Sequence, residues 1–149
     1  MEEELLAQEE GIHQFAYLAK MKQALMEIKI DPVIQFIKDM LEVEDKLVVF
    51  VEHTVMFDTL MSTFDGMAVG INGAVPDVKR QTMVDKFQKD DKIKLFIGQI
   101  KAASVGITLT AAHTLIFTEW GTTAAEIEQA CDRICRIGQT ADRCLIYYL

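Results

Sequence analysis

The stretch KLVVFVEH, residues 46–53, decides the fold class. Its core, LVVFV, is an unbroken apolar run rich in β-branched and aromatic residues, with no polar residue at alternate positions. A run of this kind predicts a strand that is buried on both faces, which is typical of a parallel sheet covered by helices on both sides. We therefore expect an α/β domain with three layers.

Strand and helix patterns alternate after this run, as a parallel sheet requires. Helices are predicted at residues 55–64 and 77–88, the second capped by Asp77, and strands at 67–71, 92–98, 114–118 and 144–149. The pair Asn72-Gly73 predicts a turn, and residues 99–110 a loop. The carboxyl ends of such strands carry the ligand sites, so residues 52–53, 72–73, 98–110 and 119–123 are candidate segments.

Two helices are predicted before the first strand, at residues 5–29 and 32–43. Apolar residues recur there at spacings of three and four, and Asp31-Pro32 predicts a break between the two helices. We expect residues 1–45 to form an amino-terminal helical segment and residues 46–149 to form the main domain.

The composition limits the class of protein. The chain has 149 residues, of which 50% are hydrophobic and 26% charged, which fits one globular domain with a real core. No apolar run is long enough to cross a membrane, and three glutamates follow Met1 where a secretory signal would be basic, so we expect a soluble intracellular protein without a membrane partner. A net charge of −8 argues against a broad basic patch for nucleic acid, so any DNA contact must be local.

The three cysteines, Cys131, Cys135 and Cys144, form no CxxC pair, and their odd number argues against a disulfide framework. Cys131 and Cys135 are one helical turn apart, yet no cluster of His or Cys completes a metal site. We expect small thiols that are buried or half-buried, and no metal ligands.

The stretch QACDRICRIGQ, residues 129–139, is the best candidate for a chemical site. Thr123 and Glu126 predict a capping box at the start of a helix that runs to about Ile137, before Gly138 ends it. One face of that helix would carry Gln129, Asp132, Arg133 and Arg136. Two guanidinium groups on one face suit the phosphates of a nucleotide, but a solvated surface with an ordinary ion pair between Asp132 and Arg136 fits the same residues.

The order of four segments resembles the superfamily-two helicases in their Swi/Snf-type form. QACDRICRIGQ is similar to motif VI, KLVVFVEH to motif IV, and KAASVGITLTAAHTLIF to motif V with its following strand. INGAV, followed by Arg80 and Phe87, resembles the block between motifs IV and V. The variant IKAASVGITLT is closer to the annealing-helicase branch than to the nucleosome remodellers. The resemblance covers residues 46–149 and implies the second of two RecA-like lobes, with ATP bound between them.

The resemblance implies roles on the nucleotide side for five residues. Arg133 and Arg136 would act as arginine fingers that neutralise charge on the leaving γ-phosphate. Gln129 would hydrogen-bond near the nucleotide or the attacking water, and Asp132 would hold an arginine in place. Gly106 would let the backbone approach the nucleotide or DNA closely.

On the DNA side, the resemblance implies contacts to the backbone of double-stranded DNA from Lys101, Thr108, Thr110 and His53. The loop around Gly106 could also be a plain connection made of turn residues. His53 is equally well explained as a polar residue at the end of a strand.

The first lobe of such motors carries a P-loop, GxxxxGK[ST], and a DExH box, which hold most of the ATP and Mg²⁺ contacts. Neither string occurs in this sequence, so we expect the chain not to hydrolyse ATP alone and to need the first lobe of a parent protein as its partner. That protein would be nuclear in a eukaryote and cytoplasmic in a prokaryote or virus. The alternative is a non-catalytic RecA-like module that binds another protein and has decayed motifs.

The sequence departs from the family pattern in several places. Asn72 stands where Asp is usual, Ser104 replaces the second glycine of motif V, and Cys135 replaces a histidine. The usual Trp-Asn-Pro maps onto residues 122–124, with Trp120 displaced by two residues. We therefore assign no role to Trp120.

Overall fold

The computed structural model describes residues 2–103, 106–119 and 123–149, with side chains from residue 14 onward. The helices are α1 (Glu2–Val43), α2 (Thr54–Thr63), α3 (Asp77–Lys89), α4 (Ile100–Ala103) and α5 (Ala124–Cys131). The strands are β1 (Leu47–Val51), β2 (Ala68–Ile71), β3 (Leu95–Gln99), β4 (Thr114–Phe117) and β5 (Leu145–Tyr148). These described elements alternate as predicted, and the short α4 lies inside the segment that we expected to be a loop.

The five strands form one parallel sheet in the order β2-β3-β1-β4-β5. β1 is the central strand, and all five of its residues are fully buried. Val48 and Phe50 pack against side chains of α3 and α5, whereas Val49 and Val51 pack against α1 and α2. Because each face of β1 meets a helix layer, its sequence has no polar alternation, and the predicted three-layer α/β class is confirmed.

The predicted break at Asp31-Pro32 is wrong, since α1 is one helix of 42 residues with Pro32 inside it. A proline in a helix interior lacks a hydrogen-bond donor and costs about 3 kcal/mol or more. Met26, Val33 and Ile37 lie on both sides of this position and are at most 2% exposed against the sheet. We infer that their burial holds both halves of the helix in line and outweighs the cost of the proline.

The predicted cap at Asp77 is also wrong, because Pro76 occupies the N-cap position and Asp77 is the first residue of α3. The Asp77 carboxylate instead pairs with Arg80 at 3.2 Å. None of the helices in the described ranges combines the length and apolar character needed to cross a membrane.

Candidate functional site

The start of α5 agrees with the sequence prediction. The Thr123 hydroxyl accepts a hydrogen bond from the amide of Glu126 at 3.3 Å, and the Glu126 carboxylate accepts one from the amide of Thr123 at 3.0 Å. This reciprocal pair is a capping box, which satisfies donors that a helix start leaves unpaired.

The end of α5 differs from the prediction, because the helix stops at Cys131 instead of Ile137. The amides of Arg133 and Ile134 bond carbonyls three residues back, which tightens the chain into turns. The carbonyl of Arg133 accepts a hydrogen bond from the amide of Leu109 at 2.8 Å, and Gly138 has a φ of 102°, which reverses the chain. We call residues 132–138, which follow the helix, the arginine turn.

Arg133 and Arg136 therefore do not share a helix face, but both contact the same loop. Arg133 donates from Nε to the carbonyl of Gln129 at 2.9 Å and from Nη1 to the carbonyl of Ile107 at 3.4 Å. Arg136 donates from Nη1 to the Thr108 hydroxyl at 3.1 Å. Contact with the same loop, and not a shared helix face, therefore keeps the two arginine side chains near each other.

Gln129 and Asp132, the other two members of the predicted face, are both exposed. Asp132 forms the C-cap of α5, and within the described part of the chain it makes no ion pair with either arginine. Asp132, Arg133 and Arg136 line a shallow depression that is open to solvent.

α4 and the loop that follows it carry Gly106, predicted on the nucleotide side, and two of the predicted DNA contacts, Lys101 and Thr110. Gly106 has a φ of 74°, a left-handed conformation that favours glycine, and the space around its Cα is open. Lys101 is exposed on α4. The Thr110 hydroxyl accepts a hydrogen bond from the side-chain amide of Gln88 at 3.1 Å, so it also joins the loop to α3.

Glu119 organises the carboxyl ends of β1 and β4, and it is 8% exposed. Its Oε2 accepts hydrogen bonds from the amides of Glu52 at 2.6 Å and His53 at 3.0 Å, and its Oε1 contacts Nδ1 of His53. Residues 119–123 were expected at this edge, but Glu119 had no predicted role. A carboxylate directly after a buried strand, facing the polar end of a neighbouring strand, was the available signal.

Gln99 joins the ends of three strands in the same way. Its side-chain amide donates to the carbonyl of Glu52 at 3.3 Å and to the Thr54 hydroxyl at 3.1 Å, and its oxygen accepts from the amide of Gly73 at 3.3 Å. Gln99 was not predicted as a site residue, since a glutamine at a strand end has no distinctive spacing.

Arg80 is part of the segment that resembles the block between motifs IV and V, but it had no predicted role. It donates to the carbonyls of Val75 at 3.2 Å and Ala102 at 2.9 Å. It therefore holds the start of α3 against α4, next to the loop that Arg136 contacts.

Desolvation raises the pKa of the Cys135 thiol to about 12, and its hydrogen bond with Cys144 adds to the rise. Desolvation also raises the pKa of Cys131. A raised pKa makes a thiol poorly reactive at neutral pH. The expectation of buried or half-buried thiols is wrong for Cys135, which is exposed. Among the residues that the structure describes, no group of three or more His, Cys, Asp and Glu side chains is arranged to hold a metal ion.

The site residues thus form two groups. His53, Glu119 and Gln99 lie at the carboxyl ends of the central strands, while the arginine turn lies against the loop between α4 and β4. The departures at Ser104, Trp120 and Thr122 fall outside the described residues.

Comparison with known proteins gives consistent matches. The model of the helicase conserved C-terminal domain matches residues 28–138. A Caenorhabditis elegans protein named "SWI/SNF-related matrix-associated actin-dependent regulator of chromatin subfamily A-like protein 1 homolog" is 36% identical over 107 residues, which cover 70% of this chain and 15% of that protein. The chain therefore spans a small part of the length of the curated relatives that it matches.

Two solved structures share the fold. The C-terminal part of the Fun30 ATPase domain superposes with a TM-score of 0.71 at 30% identity, covering 81% of this chain and 40% of that one. The Sulfolobus solfataricus SWI2/SNF2 ATPase core in complex with double-stranded DNA gives a TM-score of 0.60 at 25% identity, covering 80% of this chain and 25% of that one.

Proposed function

Because the chain belongs to the helicase C-terminal domain family, as a Swi/Snf-type second RecA-like lobe, we propose that it is one motor lobe of an ATPase that moves along duplex DNA. The observation that carries this proposal is the convergence of Arg133 and Arg136 on the single loop at Ile107 and Thr108. That loop belongs to the segment for which the family resemblance implies DNA contacts. One structural unit would then serve both the nucleotide and the DNA.

The donors of the arginine turn fit the phosphates of ATP. Arg133 and Arg136 lie beside a depression that is open to solvent, and a guanidinium presents several N–H donors in a fixed plane. Bound ATP supplies the γ-phosphoryl group that is transferred to water. Arg133 and Arg136 would neutralise charge on that group, with Gln129 hydrogen-bonding nearby. Asp132 forms the C-cap of α5, so we do not propose that it holds an arginine.

Magnesium does not fit this chain in the same way. Its ligands are carboxylate and phosphate oxygens, and the described residues offer no carboxylate cluster that could hold a metal ion. We therefore propose that the first lobe binds Mg²⁺ and most of the ATP, and that this chain contributes arginines when the lobes close. On its own, the chain should not hydrolyse ATP.

The DNA contacts that we propose are to phosphates, from Lys101, Thr108, Thr110 and His53. One structural relative was solved in complex with double-stranded DNA, which supports duplex DNA as the partner. Phosphate contacts carry no sequence information and weaken with salt, so binding should be independent of DNA sequence and sensitive to ionic strength. Two of the relatives are named as regulators of chromatin, which supports a place on nuclear DNA.

The test uses a protein that contains this chain together with a lobe carrying a P-loop and DExH box. Arg133→Ala and Arg136→Ala should each lower DNA-stimulated ATP hydrolysis by about a factor of 10³ or more, which is the effect of losing an arginine finger. Arg143→Ala is the matched control for Arg136→Ala, since both arginines are exposed but Arg143 lies beyond the arginine turn. If both variants hydrolyse ATP as fast as the control, the finger assignment is wrong and a non-catalytic binding module becomes the better account.

A further inference from the structure

Glu119 is a buried carboxylate bound by three donors of the neighbouring strand end. The contacts are the amides of Glu52 and His53 and the imidazole Nδ1 of His53, all from the segment that follows β1. β1 and β4 pair directly, with Phe50 opposite Phe117, so the two strand ends are held next to each other. The carboxylate and the histidine loop thus form one assembly at the edge of the sheet.

Burying a carboxylate is unfavourable unless hydrogen bonds compensate for the lost water, and bonds to a charged acceptor are stronger than neutral ones. The three donors therefore stabilise Glu119 in place, and Glu119 in turn fixes the positions of those donors. Because an ionised carboxylate can only accept, Nδ1 of His53 must carry a proton. This leaves Nε2 as the nitrogen available to a ligand, and the His53 side chain is still 32% exposed.

The surroundings of His53 favour an anion. Lys22 and Lys29 of α1 line the same hollow as His53 and Glu119. Lys29 is partly engaged, since it donates to the carbonyl of Leu149 at 2.8 Å, whereas Lys22 is exposed. A protonated His53 could donate to a phosphate from Nε2 while Glu119 balances the charge at Nδ1.

We propose that Glu119 is a positioning residue for His53, which it holds with Nε2 free to contact a DNA phosphate beside Lys22. The proposal rests on the DNA-binding function proposed above. Glu119 acts through the imidazole and does not touch the DNA itself. Its loss should therefore weaken DNA binding only while His53 is present.

The first experiment measures the tautomer of each imidazole by ¹⁵N NMR of the 149-residue chain, which has three histidines. In the wild type at a pH where His53 is neutral, its signals should show a protonated Nδ1. In Glu119→Gln they should move towards the mixture of free histidine, and Glu119→Asp should restore the Nδ1-protonated form.

His113 is the internal control, because its Nε2 pairs with Glu44 at 3.1 Å. Its signals should not change in Glu119→Gln, and Glu44→Gln should change His113 without changing His53. Circular dichroism checks that each variant is folded. If the His53 signals of a folded Glu119→Gln variant match those of the wild type, Glu119 does not position the ring.

The second experiment measures the Kd for duplex DNA at fixed ionic strength, in the protein that also carries the first lobe. We expect Glu119→Gln and His53→Gln each to weaken binding about tenfold or more, as loss of one hydrogen bond to a charged group would. The double variant should bind like His53→Gln alone. Effects that multiply in the double variant would overturn the proposal, because Glu119 would then act without His53.

The two proposals can fail separately. If His53→Gln binds DNA normally while the Arg133 and Arg136 variants lose ATP hydrolysis, the inference about Glu119 is wrong and the motor function stands. If the arginine variants keep full hydrolysis, the proposed function fails, whatever the NMR signals show.

Discussion

Arg133→Ala should destabilise the fold, whereas Arg136→Ala should not. Arg133 is half-buried, and its hydrogen bonds to the carbonyls of Gln129 and Ile107 measure 2.9 and 3.4 Å. A good hydrogen bond contributes about 1 kcal/mol net and a long one about half of that, and the buried stem of the side chain adds to this. We therefore expect Arg133→Ala to lower the free energy of unfolding by about 1 to 2 kcal/mol. Arg136 is exposed and makes one bond to Thr108, so its loss should cost less than about 0.5 kcal/mol.

Thermal unfolding of the 149-residue chain followed by circular dichroism measures this difference. For a domain of this size 1 kcal/mol corresponds to about 2 to 4 °C, so the Tm should fall by about 2 to 8 °C in Arg133→Ala and by less than about 2 °C in Arg136→Ala. Arg143→Ala, the exposed control, should unfold like the wild type. Equal Tm values for Arg133→Ala and Arg136→Ala would refute the reasoning, because Arg133 would then contribute nothing to holding the loop.

Three further changes test the packing and the thiol chemistry. Gly98→Ala should lower the free energy of unfolding, measured in urea, by about 1 to 3 kcal/mol, because the added Cβ would lie 2.7 Å from a buried phenyl carbon. Gly73→Ala should leave it nearly unchanged, because the added Cβ would meet nothing within 4 Å. Met26→Ala should lower the free energy of unfolding by about 2 to 5 kcal/mol, because Met26 is only 2% exposed. The adjacent Leu25→Ala should lower it much less, because Leu25 is 53% exposed. Similar losses in the two variants would contradict the assigned core face of α1. With a pKa of about 12, Cys135 should react with iodoacetamide at pH 8 about 50-fold more slowly than a free cysteine, and mass spectrometry that found rapid alkylation would contradict this.

Local signals predicted the fold well, and long-range contacts decided what they missed. The apolar run of Leu47–Val51 and the capping box at Thr123 follow from short-range rules, and both appear in the structure. The continuity of α1 through Pro32 depends on packing against the sheet, which no local pattern contains. The end of α5 depends on the bond that the carbonyl of Arg133 accepts from Leu109, which is distant in sequence. Glu119 was missed for the same reason, since its partners lie on another strand end.

The early end of α5 also bears on how the two proposed ligands could communicate. Three successive loop residues, Ile107, Thr108 and Leu109, each bond the arginine turn through a carbonyl, a hydroxyl and an amide. On a continuous helix the carbonyl of Arg133 would instead point along the helix axis and accept from the amide of Ile137. These bonds therefore join the loop and the arginine turn into one unit. A phosphate that displaced Thr108 would also displace Arg136, because the two side chains are hydrogen-bonded. Coupling between DNA and nucleotide would need no rearrangement of the sheet, only a shift of this unit against the first lobe.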